Sequence, residues 1–143
     1  MTEDAPKRKG RGICIHEGNL LVIKRINLSR EIDQEYYVLP GGKVEDDESL
    51  EDAIERETKE EASIMVNLRD LFATMEQDNM HEYFYLCDYV MGEPRLDPES
   101  EEAREMEEGI HSYFPMWIPL SQLEEIDLHP KEVKEKILKT HLW

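Results

Sequence analysis

Basic residues are scarce in this chain of 143 residues: 17 Lys and Arg stand against 34 Asp and Glu, giving a formal net charge of −17. Such a chain is repelled by the phosphate backbone of a nucleic acid polymer and by an anionic membrane surface. Long apolar runs are also missing, since none approaches the ~20 residues needed to cross a bilayer. Both absences argue against nucleic acid polymers and membranes as partners.

Cysteine is scarce as well. The chain has two cysteines, Cys14 and Cys87, and neither has a second Cys or a well-spaced His beside it that would suggest a zinc site. We interpret both as reduced strand residues. The first residues, MTEDAPKRKGRG, lack the apolar core of a signal peptide, so we expect a cytoplasmic protein.

The length and the 39% hydrophobic content fit one globular domain that closes its own core. We predict a flexible polar leader over residues 1–11 and a single domain over residues 12–143. Two β-branched runs, GICIH and LLVIKR, flank a Glu17-Gly18-Asn19 turn and predict a hairpin. The run YYVL predicts a short strand, and the Gly41-Gly42 pair that follows is interpreted as a turn.

Helical periodicity begins after Ser49, the expected N-cap, and ends near Ser63. Two further strands, NLRDLFATM and EYFYLCDYVM, are expected downstream around an Asp78-Asn79 turn.

The acidic stretch 95–112 is expected to be a loop that is either functional or disordered. The run YFPMWIPL is the last predicted strand, and Pro130 begins the predicted final helix. Mixed strands with a few helices favour an α/β or α+β sandwich.

Residues 56–64 of the predicted helix read RETKEEASI. At about 100° per residue, Glu57, Glu60 and Glu61 continue the apolar face of the helix and lie away from its solvated face. The apolar face begins with Leu50, Ala53 and Ile54, and the solvated face carries Glu51, Asp52, Glu55 and Lys59.

Carboxylates on an inward face repel one another and lose hydration, so they take up protons or hold cations. Their hard oxygen atoms suit Mg²⁺ or Mn²⁺, and Mg²⁺ commonly shares its coordination with a phosphate group. Arg56 alone cannot neutralise all of these acids. A divalent-metal site is therefore favoured over a solvated helix surface.

The residues upstream of the helix extend this pattern. Gly42, Glu48 and Arg56 stand at the intervals of Gly-x5-Glu-x7-Arg-Glu-U-x-Glu-Glu-x-Gly-U, with U a bulky aliphatic residue. This is the box of the Nudix hydrolase superfamily, which the chain resembles over roughly residues 12–141. Every charged position of the box is present, while Thr58 stands at an aliphatic position and Ser63 replaces the closing glycine.

The resemblance implies an α/β/α sandwich around a mixed sheet. It also implies Mg²⁺-dependent hydrolysis of a nucleoside diphosphate linked to another moiety, with Mn²⁺ as a substitute metal. By the same resemblance the metal ligands are Glu57, Glu60 and Glu61, with the carbonyl of Gly41 as a further candidate.

Other residues receive roles from the same resemblance. Arg56 orients Glu57, which is the first choice of catalytic base, and Glu48 supports the arginine or a metal-bound water. Family members often draw another acid from a loop beyond the box. The candidates here are Glu99, Glu101 and Glu102, of which Glu101 and Glu102 are preferred, and the weaker candidates for substrate phosphate contacts are Lys43 and Arg25.

Markers of particular substrates lie just outside the box. The proline typical of ADP-ribose hydrolases is missing where Asp78 and Asn79 stand, and the tyrosine of diadenosine polyphosphate hydrolases is replaced by Met80 and His81. By elimination, the sequence favours a MutT-like enzyme that converts a canonical or damaged nucleoside triphosphate to the monophosphate and pyrophosphate.

Several alternatives remain open at this stage. One is hydrolysis of another substrate, such as a dinucleoside polyphosphate or ADP-ribose, and another is a nucleotide-binding sensor without turnover. A third is an isomerase acting on isopentenyl diphosphate, which would need Cys14 or Cys87 to face a glutamate across the pocket. In each case we expect a small-molecule partner and a monomer or homodimer.

Overall fold

The computed structural model describes residues 7–27, 34–109 and 111–140. The strands are β1 (Lys7–His16), β2 (Asn19–Asn27), β3 (Gln34–Val38), β4 (Gly41–Lys43), β5 (Ile64–Gln77), β6 (Met80–Gly92), β7 (His111–Pro119) and β8 (Leu128–His129). The helices are α1 (Leu50–Ala62), α2 (Glu101–Glu107) and α3 (Lys131–Thr140), with a 3-10 helix at Leu120–Glu125. None of the described helices is long and apolar enough to span a membrane.

The strands form one curled mixed sheet. Its main path runs β5-β6-β1-β2-β3-β8, with β4 paired to β1 and β7 paired to β2. Strands β1 and β2 pair beside their turn, at Ile15–Leu20 and His16–Asn19. Further from the turn, β1 pairs with β4 and β2 pairs with β3, while β6 pairs with β1 from Lys7 to Cys14 and β7 pairs with β2 from Asn19 to Asn27. The sheet therefore splays open away from the hairpin.

Side chains that alternate along the β1–β2 hairpin enter two different cores. Ile13, Leu20 and Val22 belong to a cluster that includes residues of α3, whereas Cys14 and Leu21 pack with residues of α1. Because the two faces of the sheet are covered by different helices, the predicted α/β/α sandwich around a mixed sheet is confirmed.

The predicted leader over residues 1–11 is wrong for its second half, because β1 begins at Lys7; residues 1–6 lie outside the described residues. The first half of this strand lacks the apolar residues that would predict it, because one face borders a cavity and the other packs under a helix. Lys9 and Arg11 line a cavity, while Gly10 lies under α1. A Cβ atom at Gly10 would come within 2.6 Å of Ile54 Cγ1, so α1 packs on bare backbone.

The Gly41-Gly42 pair is a short strand rather than the predicted turn. Strand β4 pairs antiparallel with β1, with Gly41 opposite Arg11 and Gly42 opposite Gly10. Gly41 has φ 149°, and a Cβ atom there would lie 2.0 Å from the carbonyl oxygen of Gly10. Only glycine fits this close approach of two backbones.

The acidic stretch 95–112 was also predicted incompletely. It contains α2, whose N-cap Ser100 accepts a hydrogen bond from the backbone N–H of Ala103 at 3.1 Å. The strand after it, β7, is not the last, because β8 follows and pairs parallel with β3.

The helix carrying the box was predicted correctly. Ser49 is the N-cap and accepts a hydrogen bond from the Asp52 N–H at 3.0 Å. Ser63 ends the helix in the left-handed conformation, with φ 58°, and its N–H donates to the carbonyl of Lys59. This conformation explains why a glycine would suit the position, and serine accepts it at a modest cost.

Candidate active site

A cavity of about 380 Å³ opens where the sheet splays apart. Its lining residues come from strands β1, β2, β3, β4 and β7 and from helices α1 and α2, with Leu96 from the segment before α2. The charged residues that line it are Lys9, Arg11, Arg25 and Lys43 together with Glu61, Glu101, Glu102 and Glu105. A lining with both signs of charge suits a ligand that combines a cation with a polyanion.

Two glutamates of the box lie against strand β4, and one of them, Glu61, lines the cavity, whereas Glu57 does not. Glu61 is only 8% exposed, and its Oε2 accepts a hydrogen bond from the Gly41 N–H at 3.5 Å. Glu57 lies over the other glycine, since a Cβ atom at Gly42 would come within 3.0 Å of the Glu57 carboxyl carbon. Strand β4 therefore brings its backbone against carboxylates that are one helical turn apart.

The charge on Glu61 is poorly compensated. Burial is the main cause that raises the pKa of Glu61 well above its ordinary value, and the nearby carboxylates of Glu57 and Glu102 raise it further. The positive charge of Arg11 opposes this shift without cancelling it. A cation bound beside Glu61 would favour its ionised form.

Arg56 organises the other acids of the box. Its Nε and Nη2 donate to the two carboxylate oxygens of Glu48, at 2.7 and 3.0 Å, which is a bidentate pair. Its Nη1 donates to Glu57 at 2.9 Å and to Glu60 at 3.5 Å. Hydrogen bonding to Glu48 is the main cause that raises the pKa of the Arg56 guanidinium. The structure thus brings Glu48, Arg56 and Glu57 together as the resemblance implies.

Glu60 stands apart from the other two predicted metal ligands. Its side chain is 42% exposed and lies against Arg56. Within residues 7–27, 34–109 and 111–140, no three His, Cys, Asp or Glu side chains are arranged to hold a metal ion. The three-glutamate ligand set therefore remains a prediction.

The donors present nevertheless fit a divalent cation. All are oxygen atoms, which Mg²⁺ and Mn²⁺ prefer, and the buried carboxylate of Glu61 lies beside Glu57 with little neutralising charge. The Gly41 carbonyl belongs to the residue whose N–H donates to Glu61, and it accepts a hydrogen bond from Arg11 Nη1 at 3.4 Å.

The predicted loop acids lie on or beside α2, and the structure separates them. Glu102 and Glu101 line the cavity, whereas Glu99 is exposed and does not. Burial, followed among the raising causes by the charge of Glu57, raises the pKa of Glu102. Glu102 therefore lines the cavity as a partly buried acid whose charge interacts with those of Glu57 and Glu61.

Of the two predicted phosphate contacts, Lys43 is exposed at the rim of the cavity, whereas Arg25 is already engaged. Its Nη2 donates to the Tyr113 hydroxyl at 3.2 Å, and its guanidinium lies over the rings of Tyr113 and Tyr36 at 4.9 and 5.7 Å. The Tyr113 hydroxyl in turn donates to Glu105. These contacts tie α2 to the sheet.

Sequence reasoning missed several residues of the cavity. Lys9 and Arg11 were assigned to the leader, and Glu105 and Tyr113 were not separated from loop and core residues. The alternation Lys9-Gly10-Arg11-Gly12 carried a usable signal, because two cations two residues apart share one face of a strand. No comparable pattern pointed to Glu105 or Tyr113.

The two cysteines lie outside the cavity. Both are buried in the core beneath α1, at directly paired positions of β1 and β6. Burial raises the pKa of each thiol to about 12. The isomerase alternative needs a cysteine facing the ligand, and neither Cys14 nor Cys87 lines the cavity.

Comparisons with known proteins agree with this architecture. The family model described as "NUDIX domain" matches residues 6–139. A search of curated proteins found no match.

Solved structures share the fold. A MutT NUDIX hydrolase from Burkholderia pseudomallei is 25% identical with TM-score 0.67, the match covering 94% of this chain and 99% of the other. An ADP-ribose pyrophosphatase from Streptococcus suis is 21% identical with TM-score 0.63, covering 96% and 93%. A MutT protein from Methanosarcina mazei Go1 is 22% identical with TM-score 0.61, covering 97% and 95%.

Proposed function

This chain belongs to the NUDIX domain family and is a hydrolase acting on pyrophosphate bonds, and we propose that its substrate is a nucleoside triphosphate. In this proposal the cavity cleaves the substrate to the nucleoside monophosphate and pyrophosphate with the help of Mg²⁺, for which Mn²⁺ can substitute. The observation that carries the proposal is the mixed lining of the cavity. Glu61 and Glu102 line it together with Lys9, Arg11 and Lys43, which provide cations for a polyphosphate.

The carboxylates of α1 supply the proposed chemistry. Glu57 is the proposed base, which accepts a proton from the attacking water. Arg56 holds one oxygen of Glu57 in place, and Glu48 holds Arg56 through its bidentate pair. A catalytic group fixed in this way needs little reorganisation during the reaction.

The proposed metal ligands are Glu57, Glu60 and Glu61, with the Gly41 carbonyl as a further candidate. When bound, a divalent cation would spread the negative charge of the phosphate oxygens and lower the barrier to attack by water. Arg56 now contacts Glu60 at 3.5 Å, a weak interaction that a small rotation of either side chain would release.

The apolar part of the cavity lining suits a nucleoside. Ile23, Val38 and Tyr113 form a buried apolar cluster that lines the cavity, with Leu96 packed against it. An aromatic base could bury its faces against such a wall, while polar groups nearby orient it. The volume of about 380 Å³ lies within the usual range for small-molecule sites.

The relatives support a nucleotide substrate without fixing which one. Two of the similar structures are MutT proteins, and one is an ADP-ribose pyrophosphatase. We choose the triphosphate because the proline typical of ADP-ribose hydrolases is missing where Asp78 and Asn79 stand, in the turn between β5 and β6.

A hydrolysis screen tests the proposal. Canonical and oxidised nucleoside triphosphates, dinucleoside polyphosphates, ADP-ribose and nucleotide sugars would each be incubated with the protein and Mg²⁺ or Mn²⁺, and the products identified. We expect the fastest turnover with a nucleoside triphosphate. Faster cleavage of ADP-ribose or of a dinucleoside polyphosphate would overturn the substrate assignment. Tight nucleotide binding without turnover across the panel would indicate a sensor instead.

A further inference from the structure

Arg11 of β1 is held in a fixed position on the wall of the cavity. Its Nε donates to Glu82 of β6 at 2.9 Å, and its Nη1 donates to the backbone carbonyls of Leu39 and Gly41 at 3.0 and 3.4 Å. The side chain is 16% exposed. Three acceptors on two chain segments, β6 and residues 39–41, therefore fix the plane of the guanidinium.

These contacts leave part of the guanidinium free. Within the described parts of the chain, Nη2 donates to no acceptor. The buried polar atoms without a partner do not include Nη2, so this nitrogen is accessible to solvent. Because Arg11 lines the cavity, the N–H groups on Nη2 are available to a ligand there. A rigid guanidinium with unused donors is well suited to bind a phosphate group.

The surroundings of Arg11 favour an anion. Lys9 and Lys43 also line the cavity and stand at paired positions of β1 and β4. Burial, followed by the charge of Arg11, lowers the pKa of the Lys9 ammonium, and the charge of Lys43 acts in the same direction. These cations repel one another in a chain whose net charge is −17. A polyphosphate placed among them would remove that repulsion.

Glu82 has a separate role in this arrangement. It does not line the cavity, and it contacts Arg11 from the neighbouring strand. Strands β1 and β6 run parallel, with Arg11 paired to Phe84 and Lys9 paired to Glu82. Glu82 is therefore two residues along β6 from the position beside Arg11, which keeps the two side chains close. Glu82 thus acts on a ligand through the orientation of Arg11, and its charge also opposes the lowering of the Lys9 pKa.

We propose that Arg11 is a phosphate-binding residue of this cavity and that Glu82 is its positioning residue. The proposal rests on the proposed function, because the phosphate group is that of a nucleotide substrate. The alternative is that Arg11 only braces the corner between β3 and β4 through the carbonyls of Leu39 and Gly41.

The test measures binding and kinetics in matched variants. Inorganic pyrophosphate binding would be followed by calorimetry with and without Mg²⁺, and KM and kcat would be measured with the best nucleotide substrate. Arg11→Gln should weaken pyrophosphate binding and raise KM by about tenfold or more, because a charge-assisted contact is lost. Arg8→Gln is the control, since Arg8 is exposed on the same strand and loses the same charge.

Two further variants keep the proposal testable if Arg11→Gln fails to fold. Arg11→Lys keeps the positive charge but loses the planar guanidinium with its several N–H donors. Glu82→Gln leaves Arg11 in place but removes the carboxylate that holds its Nε. Each should weaken pyrophosphate binding by a few-fold while the melting temperature stays near that of the wild type. If folded Arg11 variants bind pyrophosphate as tightly as Arg8→Gln does, Arg11 is a structural brace and the proposal is overturned.

The outcomes separate this proposal from the proposed function. Pyrophosphate binding that depends on Arg11, in a protein that hydrolyses no nucleotide, would support the phosphate contact and overturn the function. Nucleotide hydrolysis with an unchanged KM in the Arg11 variants would support the proposed function and overturn the phosphate contact of Arg11.

Discussion

Helices α1 and α2 both present glutamates to the cavity, yet they are attached to the protein in different ways. Each begins at a serine N-cap and carries acids in its first turn. Helix α1 has 13 residues and buries Ala53, Ile54, Thr58, Glu61 and Ala62, whereas α2 has 7 residues and buries none. Similar residues therefore stand on a packed helix in one case and on a lightly attached helix in the other.

The difference teaches how a fold fixes a charged group. On α1, packing of the apolar face forces Glu61 into a buried position despite the cost, and Arg56 holds Glu57. On α2, the acids are positioned mainly by the buried N-cap Ser100 and by the contact between Glu105 and Tyr113. We expect the acids of α1 to have larger effects on chemistry than those of α2.

The largest effect is expected for Glu57→Gln. Loss of the proposed base should lower kcat by about 10³-fold, while the fold stays intact by circular dichroism. Glu51→Gln is the matched control, because Glu51 is exposed on the same helix. Full activity of Glu57→Gln would remove Glu57 from its assigned role.

A smaller effect on activity is expected on α2. Glu102→Gln should lower kcat/KM by about ten- to a hundredfold, because Glu102 lies close enough to Glu57 and Glu61 for their charges to interact. Glu101→Gln should have less effect, since Glu101 is exposed. The control is Glu107→Gln at the exposed end of α2. A loss with Glu102→Gln as large as that with Glu57→Gln would contradict the difference drawn between the two helices.

A stability measurement examines the cost of burying Glu61. Burial raises the pKa of Glu61 in the folded chain, so its contribution to stability is present below the ordinary glutamate pKa and is lost as pH rises through the folded value. Glu61→Gln cannot ionise, and without metal at neutral pH it should increase the free energy of unfolding by about 1 to 2 kcal/mol.

Urea unfolding as a function of pH checks this prediction. The gain should shrink as pH falls to the ordinary glutamate range, and Mg²⁺ should stabilise the wild type more than the variant. Glu60→Gln is the comparison, because Glu60 is far more exposed. A Glu61→Gln variant that is less stable than the wild type at neutral pH without metal would show that the charge is well compensated.

The smallest effect concerns Thr58 on the packed face of α1. Its hydroxyl oxygen is buried and has no hydrogen-bond partner among the described residues. Thr58→Val keeps the shape and removes the unpaired hydroxyl, so the free energy of unfolding should rise by about 1 kcal/mol. Thermal unfolding compares it with Thr74→Val, whose side chain is exposed and should change little. Destabilisation by Thr58→Val would reveal a role for the hydroxyl.

The same contrast explains what the sequence could predict. The box residues lie on a helix long enough for its periodicity to place Glu57 and Glu61 on the inward face. Helix α2 has no apolar face and was taken for a loop. The start of β1 was missed because glycines under α1 and cations beside the cavity replace the usual apolar residues.

Tertiary contacts account for the remaining differences. The strand β4 exists because Gly41 allows its backbone to approach Gly10, which no local pattern indicates. The link between Arg11 and Glu82 joins residues 71 positions apart, so it depends on the pairing of β1 with β6. Composition and spacing alone cannot show such pairs.

The most direct test of the central claim is a ³¹P NMR time course of a nucleoside triphosphate with the wild-type protein. With Mg²⁺ we predict equal amounts of nucleoside monophosphate and pyrophosphate, and no reaction once the metal is chelated. Release of inorganic phosphate as the first product, or unchanged triphosphate in the presence of Mg²⁺, would contradict the assignment of this cavity as a nucleoside triphosphate pyrophosphohydrolase.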